Sequence, residues 1–302
     1  MVCTTPVVIF IYKRSQNLEK MINGIREARP KELYIVADGS KNTGEEEQVK
    51  KTRADLESLI SWPCQVRKSY STKNLGLKRR FSTGIDWVFK HTDRAIFVED
   101  DCVPESSFFI FCDQLLKKYK DEERIVSISG NNFQQSNKNY KESYYFSRYP
   151  HVWGWATWKR VWDQYDSTIS DWPKLKHSGW LSELYPKRFF TQKFWTYIFD
   201  RLYSGKINTW DYQLTYLSMK LHGLNIIPGV NLVKNVGYGA DATNLKKKNK
   251  TIDVTTKAMK FPLIHPSKLT YSDQEDKYIE ELVYLHPLGK ISLFIKSLLG
   301  IV

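Results

Sequence analysis

Short apolar runs recur along the first 130 positions, each closed by a polar turn and followed by a stretch with helical spacing. Val7 to Tyr12 is continuously apolar and rich in β-branched residues, and Leu18, Met21, Ile22 and Ile25 then return at helical intervals. "ELYIVADGS" predicts a second strand ending at Asp38 and Gly39, with a charged helix from about Glu45 to Ile60. "CQVRKSY" reads as a short third strand, Phe81 to Phe89 as helix, "RAIFVEDD" as a strand that stops at its acids, "SSFFIFCDQLLKKY" as helix and "IVSISG" as strand. Unbroken apolar runs mark strands buried on both faces, and their alternation with helices predicts an α/β fold with a largely parallel sheet covered on both sides. Ligands of such sheets sit beyond the carboxyl ends of the strands. Arg14, Asp38 and the triplet Glu99, Asp100 and Asp101 all fall there, so one crevice can hold them.

The pattern changes after residue 130. Gln134 to Tyr145 is polar and reads as loop, followed by the aromatic block "YPHVWGWATWKRVWDQYD" and by "NTWDYQLTYLSMKL". Composition shifts again at the basic run "LKKKNK", which divides the chain into a main domain, 1–245, and a basic linker with a C-terminal helical tail, 246–302. The tail from residue 286 mixes apolar residues with Lys290 and Lys296. It suits either an interfacial helix on an anionic membrane or a helix docked on the domain. The apolar run at the N-terminus is too short for a signal peptide or a membrane span, so a cytoplasmic protein, peripheral to a membrane at most, is expected.

Composition narrows the chemistry. With 302 residues, 41% of them hydrophobic, the chain has ample material for a core. Forty-six Lys and Arg against 33 Asp and Glu give a net charge of +13, which favours an anionic partner. Four Cys form no CxxC and six His form no HExxH, so a zinc site is not expected and the thiols are read as reduced. Against that basic background three adjacent carboxylates stand out. They would repel one another unless a cation is shared, and a short acidic turn after a buried strand suits Mg²⁺ or Mn²⁺ bridging to phosphates. The bland alternative is an acidic turn that caps the next helix.

Together, "VIFIYKR", "VADGS", "FVEDD", "VWGWATWKRVWD" and "NTWDYQ" resemble, in order, the GT-A glycosyltransferases, and among them N-acetylglucosaminyltransferase I and its bacterial relatives with an EDD form of the DxD motif. The resemblance spans roughly residues 5 to 244. It implies a GT-A, Rossmann-like fold with an acceptor-side subregion. It also implies a metal-dependent inverting transfer from a nucleoside diphosphate sugar, with UDP as the nucleotide, to a glycan or lipid-linked acceptor. Asp101 would ligate Mn²⁺ (or Mg²⁺), Asp100 or Glu99 would take the ribose hydroxyls, Arg14 would contact the nucleotide, and Asp38 would recognise uracil. Asp38 could instead serve an Asp-Gly turn. Lys78, Arg79 and Arg80 are candidates for the diphosphate, with Lys78 favoured. Asp211 in "NTWDYQ" would be the base, although an Asp ahead of a helical pattern also suits a cap. Gly154 and Trp155 would flank the sugars, with core packing the alternative for the Trp. Where many such enzymes supply a late His, this chain has Asn244, which leaves Asp101 as a single protein ligand.

Two other readings make different demands. A divalent-metal nuclease or nucleotidyltransferase needs a contiguous basic groove over several phosphates. A non-enzymatic basic binding module would leave Asp211 far from the acidic triplet.

Overall fold

The computed structural model describes residues 2–134, 140–237 and 254–285. Asn244, the basic run 245–250 and the tail from residue 286, with the membrane contact expected of it, lie outside the described residues.

Strand β1 (Val7–Ile11) is buried at every position, and helix α1 (Leu18–Ala28) buries Leu18, Met21, Ile22 and Ile25, the stripe its spacing predicts. There follow β2 (Glu32–Ala37), α2 (Glu46–Leu59), β3 (Gln65–Tyr70), α3 (Leu77–Val88), β4 (Arg94–Glu99), β5 (Cys102–Pro104), α4 (Ser106–Lys118) and β6 (Ile125–Ser129). The second half adds β7 (Tyr144–Ser147), β8 (Trp155–Trp158), α5 (Lys159–Trp162), α6 (Trp172–Lys176), α7 (Trp180–Leu184), α8 (Phe189–Tyr203), α9 (Asp211–Lys220), β9 (Leu224–Pro228) and β10 (Val233–Asn235). Helix α10 (Asp273–Ile279) runs into a π-helical turn, Glu280–Tyr284.

The central sheet has the order β3-β2-β1-β4-β8-β6-β9-β7. It is parallel except where β8 enters between β4 and β6 and where β7 closes the edge on β9. This is the Rossmann-like, mostly parallel α/β arrangement of a GT-A fold. A separate ribbon pairs β5 with β10. Two boundaries differ from the sequence reading. Helix α3 begins at Leu77 rather than Phe81, because its first turn is Lys78 and Arg79 and shows no apolar period. Strand β7 begins inside the segment read as loop, its Tyr144 and Phe146 buried against β9.

A second core, largely aromatic, holds the helices after β8 together and includes Tyr149, Trp172, Trp180, Trp195, Phe199 and Tyr216. Packing also continues past residue 245. Met259 and Leu263 join the main core, Ser272 N–H donates to the Phe146 carbonyl, and Ile279 enters the aromatic cluster. No helix among the described residues is long and apolar enough to cross a membrane.

Gly154 shows how tightly the base of β8 is packed. It has φ +63°, and a Cβ there would lie 2.7 Å from Val233 Cγ2 and 3.2 Å from Phe108 Cζ. Gly154→Ala should lower the unfolding free energy by roughly 1–3 kcal/mol, through strain and overpacking together, in a urea titration.

Candidate active site

The acidic turn is held from two sides. Asp100 N–H bonds to the Phe10 carbonyl, and Asp100 Oδ2 accepts the Tyr12 N–H at 3.0 Å, so the turn is stitched to the end of β1. The β5–β10 ribbon holds the other side: Val236 N–H donates to the Asp101 carbonyl at 2.7 Å and Asn235 Nδ2 reaches Asp101 Oδ1 at 3.3 Å. Arg14 Nη1 lies 2.9 Å from Asp101 Oδ2 and 4.0 Å from Asp100 Oδ1. Strand β1 thus delivers the cation and β4 the anions to one place.

Asp38 follows β2 and is largely spent on backbone. Its Oδ1 accepts the Gly39 and Leu75 N–H groups and its Oδ2 the Gly76 N–H, each at 2.9 Å. Gly39 permits this, since a Cβ there would sit 2.6 Å from the Lys73 carbonyl carbon. The turn role weighed for Asp38 is therefore real, and the residue still borders the cavity described below.

Asp211 arrives by a different route, a stack of rings. Phe10 lies 4.0 Å from Phe81, Phe81 4.7 Å from Trp210, and Trp210 5.3 Å from Trp155, all within 27° of parallel. Each such pair contributes about 1 kcal/mol beyond its burial, so the Trp of "TWD" pins the start of α9 onto the sheet. Asp211 is the first residue of α9, and its Oδ1 accepts the Tyr212 N–H at 3.0 Å and the Thr209 hydroxyl. The cap position of α9 is Trp210, with no side-chain cap bond, so Asp211 is not the cap weighed for it, and its carboxylate borders the cavity described next.

That cavity has a volume of about 600 Å³. Arg14, Asp38, Glu99, Asp100, Asp101 and Asp211 all line it, beside Tyr12, Lys13, Lys41, Arg80, Trp153 and Asn235. Asp211 lies beside the acidic triplet rather than far from it, contrary to what a plain binding module requires. Three expected residues are not among those lining the cavity. Trp155 is 1% exposed and packs on Phe97 at 4.7 Å, so the packing alternative describes it, and Trp153 faces the cavity in its place. Gly154 serves the packing against Val233 and Phe108. Lys78 lies outside the lining, whereas Arg80, two residues on, turns inward and donates to the Ala37 carbonyl and to the Ser69 carbonyl and hydroxyl. Sequence reasoning missed Tyr12 and Lys13, both tied to Glu45. A polar residue directly after a buried strand was the available signal.

The electrostatics follow from crowding. Burial, then the charges of Asp101, Asp100 and Asp211, push the Glu99 carboxyl well above its usual range, while Arg14 acts the other way. Burial and Asp101 push Asp100 up to about 7 against the Tyr12 N–H and Arg14. Burial also raises Asp211, opposed by Thr209 and Tyr212.

No group of three or more His, Cys, Asp or Glu among the described residues is arranged to hold a metal ion. Carboxylate oxygens are the donor type a hard cation takes, so the turn fits one with few protein ligands, and in this structure Arg14 sits on Asp101 Oδ2 where such a cation would compete with it. Asp100 offers a pH test. Its folded-state value exceeds the unfolded one, so its contribution to stability is full below about pH 4 and is lost as pH rises through about 7. In EDTA, the wild-type stability measured relative to Asp100→Asn should fall by roughly 3 kcal/mol over that window in denaturant titrations.

Residues 7–200 match the family model described as Glycosyl transferase family 2. The matched span includes Arg14, Asp38 and the acidic turn and ends before Asp211. No curated protein matches the chain. Among solved structures, UDP-glucose pyrophosphorylase complexed with UDP-glucose is similar at 12% identity and a TM-score of 0.30, over 53% of this chain and 71% of that one. A cytidylyltransferase from Leptospira borgpetersenii is similar at 11% identity and 0.35, over 59% and 72%. The 4-diphosphocytidyl-2C-methyl-D-erythritol synthase of Anaerococcus prevotii is similar at 9% and 0.34, over 54% and 76%. Likeness at such TM-scores carries no argument about function.

Proposed function

The chain belongs to glycosyl transferase family 2, and from that premise we propose that it moves a sugar from UDP to an acceptor hydroxyl by a metal-dependent, inverting displacement. The enzyme is a glycosyltransferase; donor, metal and stereochemistry are the proposal. One observation carries it: the acidic turn and Asp211 border the same cavity, and Asp211 is close enough for its charge to act on Glu99. A volume of about 600 Å³ suits a nucleotide sugar. The cations at this cavity, Lys13, Arg14, Lys41 and Arg80, converge on one pocket, which supports a small nucleotide over a nucleic acid strand.

In this reading Arg14 binds the diphosphate side, Glu99 or Asp100 orients the ribose, and Asp38, held by its three amides, faces the base. Asp101 would hold the divalent cation, which when bound offsets charge on the departing diphosphate. Asp211 is the base, the role that a likeness to N-acetylglucosaminyltransferase I, itself part of this proposal, would give it. Tyr212 N–H and the Thr209 hydroxyl both meet Oδ1, and Oδ2 would take the acceptor proton. Burial makes that carboxylate a stronger proton acceptor than a solvated one. Attack from the side opposite the diphosphate inverts the anomeric centre without a covalent intermediate.

Thermal denaturation with UDP and Mn²⁺ tests this reading. A raised melting temperature is expected; no stabilisation by any nucleoside diphosphate with metal, or stabilisation by an oligonucleotide alone, would refute it.

A further inference from the structure

Tyr12, Lys13 and Lys41 border the cavity, and all three are tied to a residue that does not, Glu45. Tyr12 Oη donates to Glu45 Oε2, Lys13 Nζ donates to Oε1 at 2.8 Å, and the Lys41 N–H reaches Oε2 at 3.1 Å. Tyr12 and Lys13 follow β1 and Lys41 lies in the loop after β2, so one carboxylate joins the ends of two adjacent strands. The backbone at Tyr12 is already fixed, because its N–H donates to Asp100. What Glu45 adds is the direction of the side chains. The Lys13 ammonium also lies 5.8 Å from the centre of the Tyr12 ring, within reach of a cation–π contact.

An acid at this position has a simpler use. Glu45 ends the short 3-10 turn Thr43–Glu45 and occupies the cap position of α2, where a negative charge favours the helix dipole. Its side chain, however, caps none of the N–H groups of α2. The carboxylate turns instead to Lys13 and Tyr12, which hold it well below its usual range, at about 2. It is therefore charged at any working pH, and its bonds run toward the cavity wall.

We infer that Glu45 is a positioning residue for the nucleotide, one that presets Tyr12, Lys13 and the Lys41 backbone as a single wall of the cavity. An ammonium has three N–H donors, so the bond to Glu45 aims Lys13 and leaves two for a ligand. A tyrosine tethered at its hydroxyl likewise presents its ring in one orientation. Side chains ordered in advance spare a ligand the cost of ordering them. The inference rests on the reading of this cavity as a UDP-sugar site.

The test is a double-mutant cycle on the full chain, read by calorimetric titration with UDP and Mn²⁺ and by hydrolysis of UDP-sugar. Glu45→Ala should raise the UDP Kd and the donor KM about ten-fold, the cost of ordering two released side chains, with kcat changed by less than about two-fold. Glu45→Gln keeps an acceptor for Tyr12 and Lys41 but no charge for Lys13, and should cost only about three-fold. In a Tyr12→Phe/Lys13→Met background Glu45→Ala should add less than about two-fold, because the groups it acts through are gone. A merely structural Glu45 would lower the melting temperature and show its full effect on Kd in both backgrounds. If the Ala variant does not fold, Glu45→Gln enters the same cycle, and its loss should vanish once Lys13 is Met. The inference is overturned if the Kd is unchanged in the Glu45 variants, if kcat falls as far as the Kd rises, or if the loss persists in full without Tyr12 Oη and Lys13 Nζ. Failure of the underlying reading looks different: wild-type protein would then bind no UDP.

Discussion

Asp211→Asn should lower kcat for sugar transfer by roughly a thousand-fold while changing UDP–Mn²⁺ affinity little. The substitution preserves shape, and an amide oxygen still accepts the Tyr212 N–H and the Thr209 hydroxyl. What it removes is the capacity to take a proton. It also removes a negative charge that disfavours ionisation of Glu99, so nothing in the nucleotide region is weakened. Steady-state transfer and calorimetric UDP titration, run side by side, check the split. Near-normal turnover would show that the base lies elsewhere. The wild-type pH profile carries the same signature: burial raises Asp211 above the ordinary carboxylate range, so kcat should fall as pH drops through that raised value, and the acid limb should sit above the usual pKa near 4.

Asp101→Ala should have the second largest effect, on binding rather than turnover. Its carboxylate meets Arg14 at 2.9 Å and Asn235 at 3.3 Å and is the proposed metal ligand. Loss of groups that merely orient a ligand costs 10–100-fold in metal affinity, so loss of the ligand itself should cost at least about 100-fold. The melting-temperature rise with Mn²⁺ and UDP should disappear, whereas the weaker effect of UDP in EDTA should persist. An unchanged Mn²⁺-dependent shift in the variant would remove Asp101 from the metal site.

Much of the frame was legible because it is local. The run Val7–Ile11 is apolar at every position and is buried at every position, and the acids after β4 announced themselves by interrupting such a run. What could not be read depends on contacts distant in sequence. β5 and β10 have three residues each and pair across about 130 positions, so the clamp on Asp101 left no periodic trace. The sequence reading chose Trp155 for the sugar site, but β8 enters antiparallel between β4 and β6, and Trp155 is buried while Trp153 borders the cavity. Lys78 and Arg80 differ by two residues on a helix, hence by more than half a turn. Only the true start of α3 fixes which of them turns inward. Asp38 was placed correctly at the end of β2, but its three amide donors come from the turn at Gly39 and the loop before α3, and no spacing reveals them.

A crystal structure of the protein with UDP and Mn²⁺ tests the central claim most directly. The account predicts the diphosphate at the acidic turn, the cation on Asp101, and Asp211 facing the diphosphate across a gap the size of one sugar. Nucleotide bound outside this cavity, or a diphosphate lying directly against Asp211 with no room for a sugar between them, would contradict it.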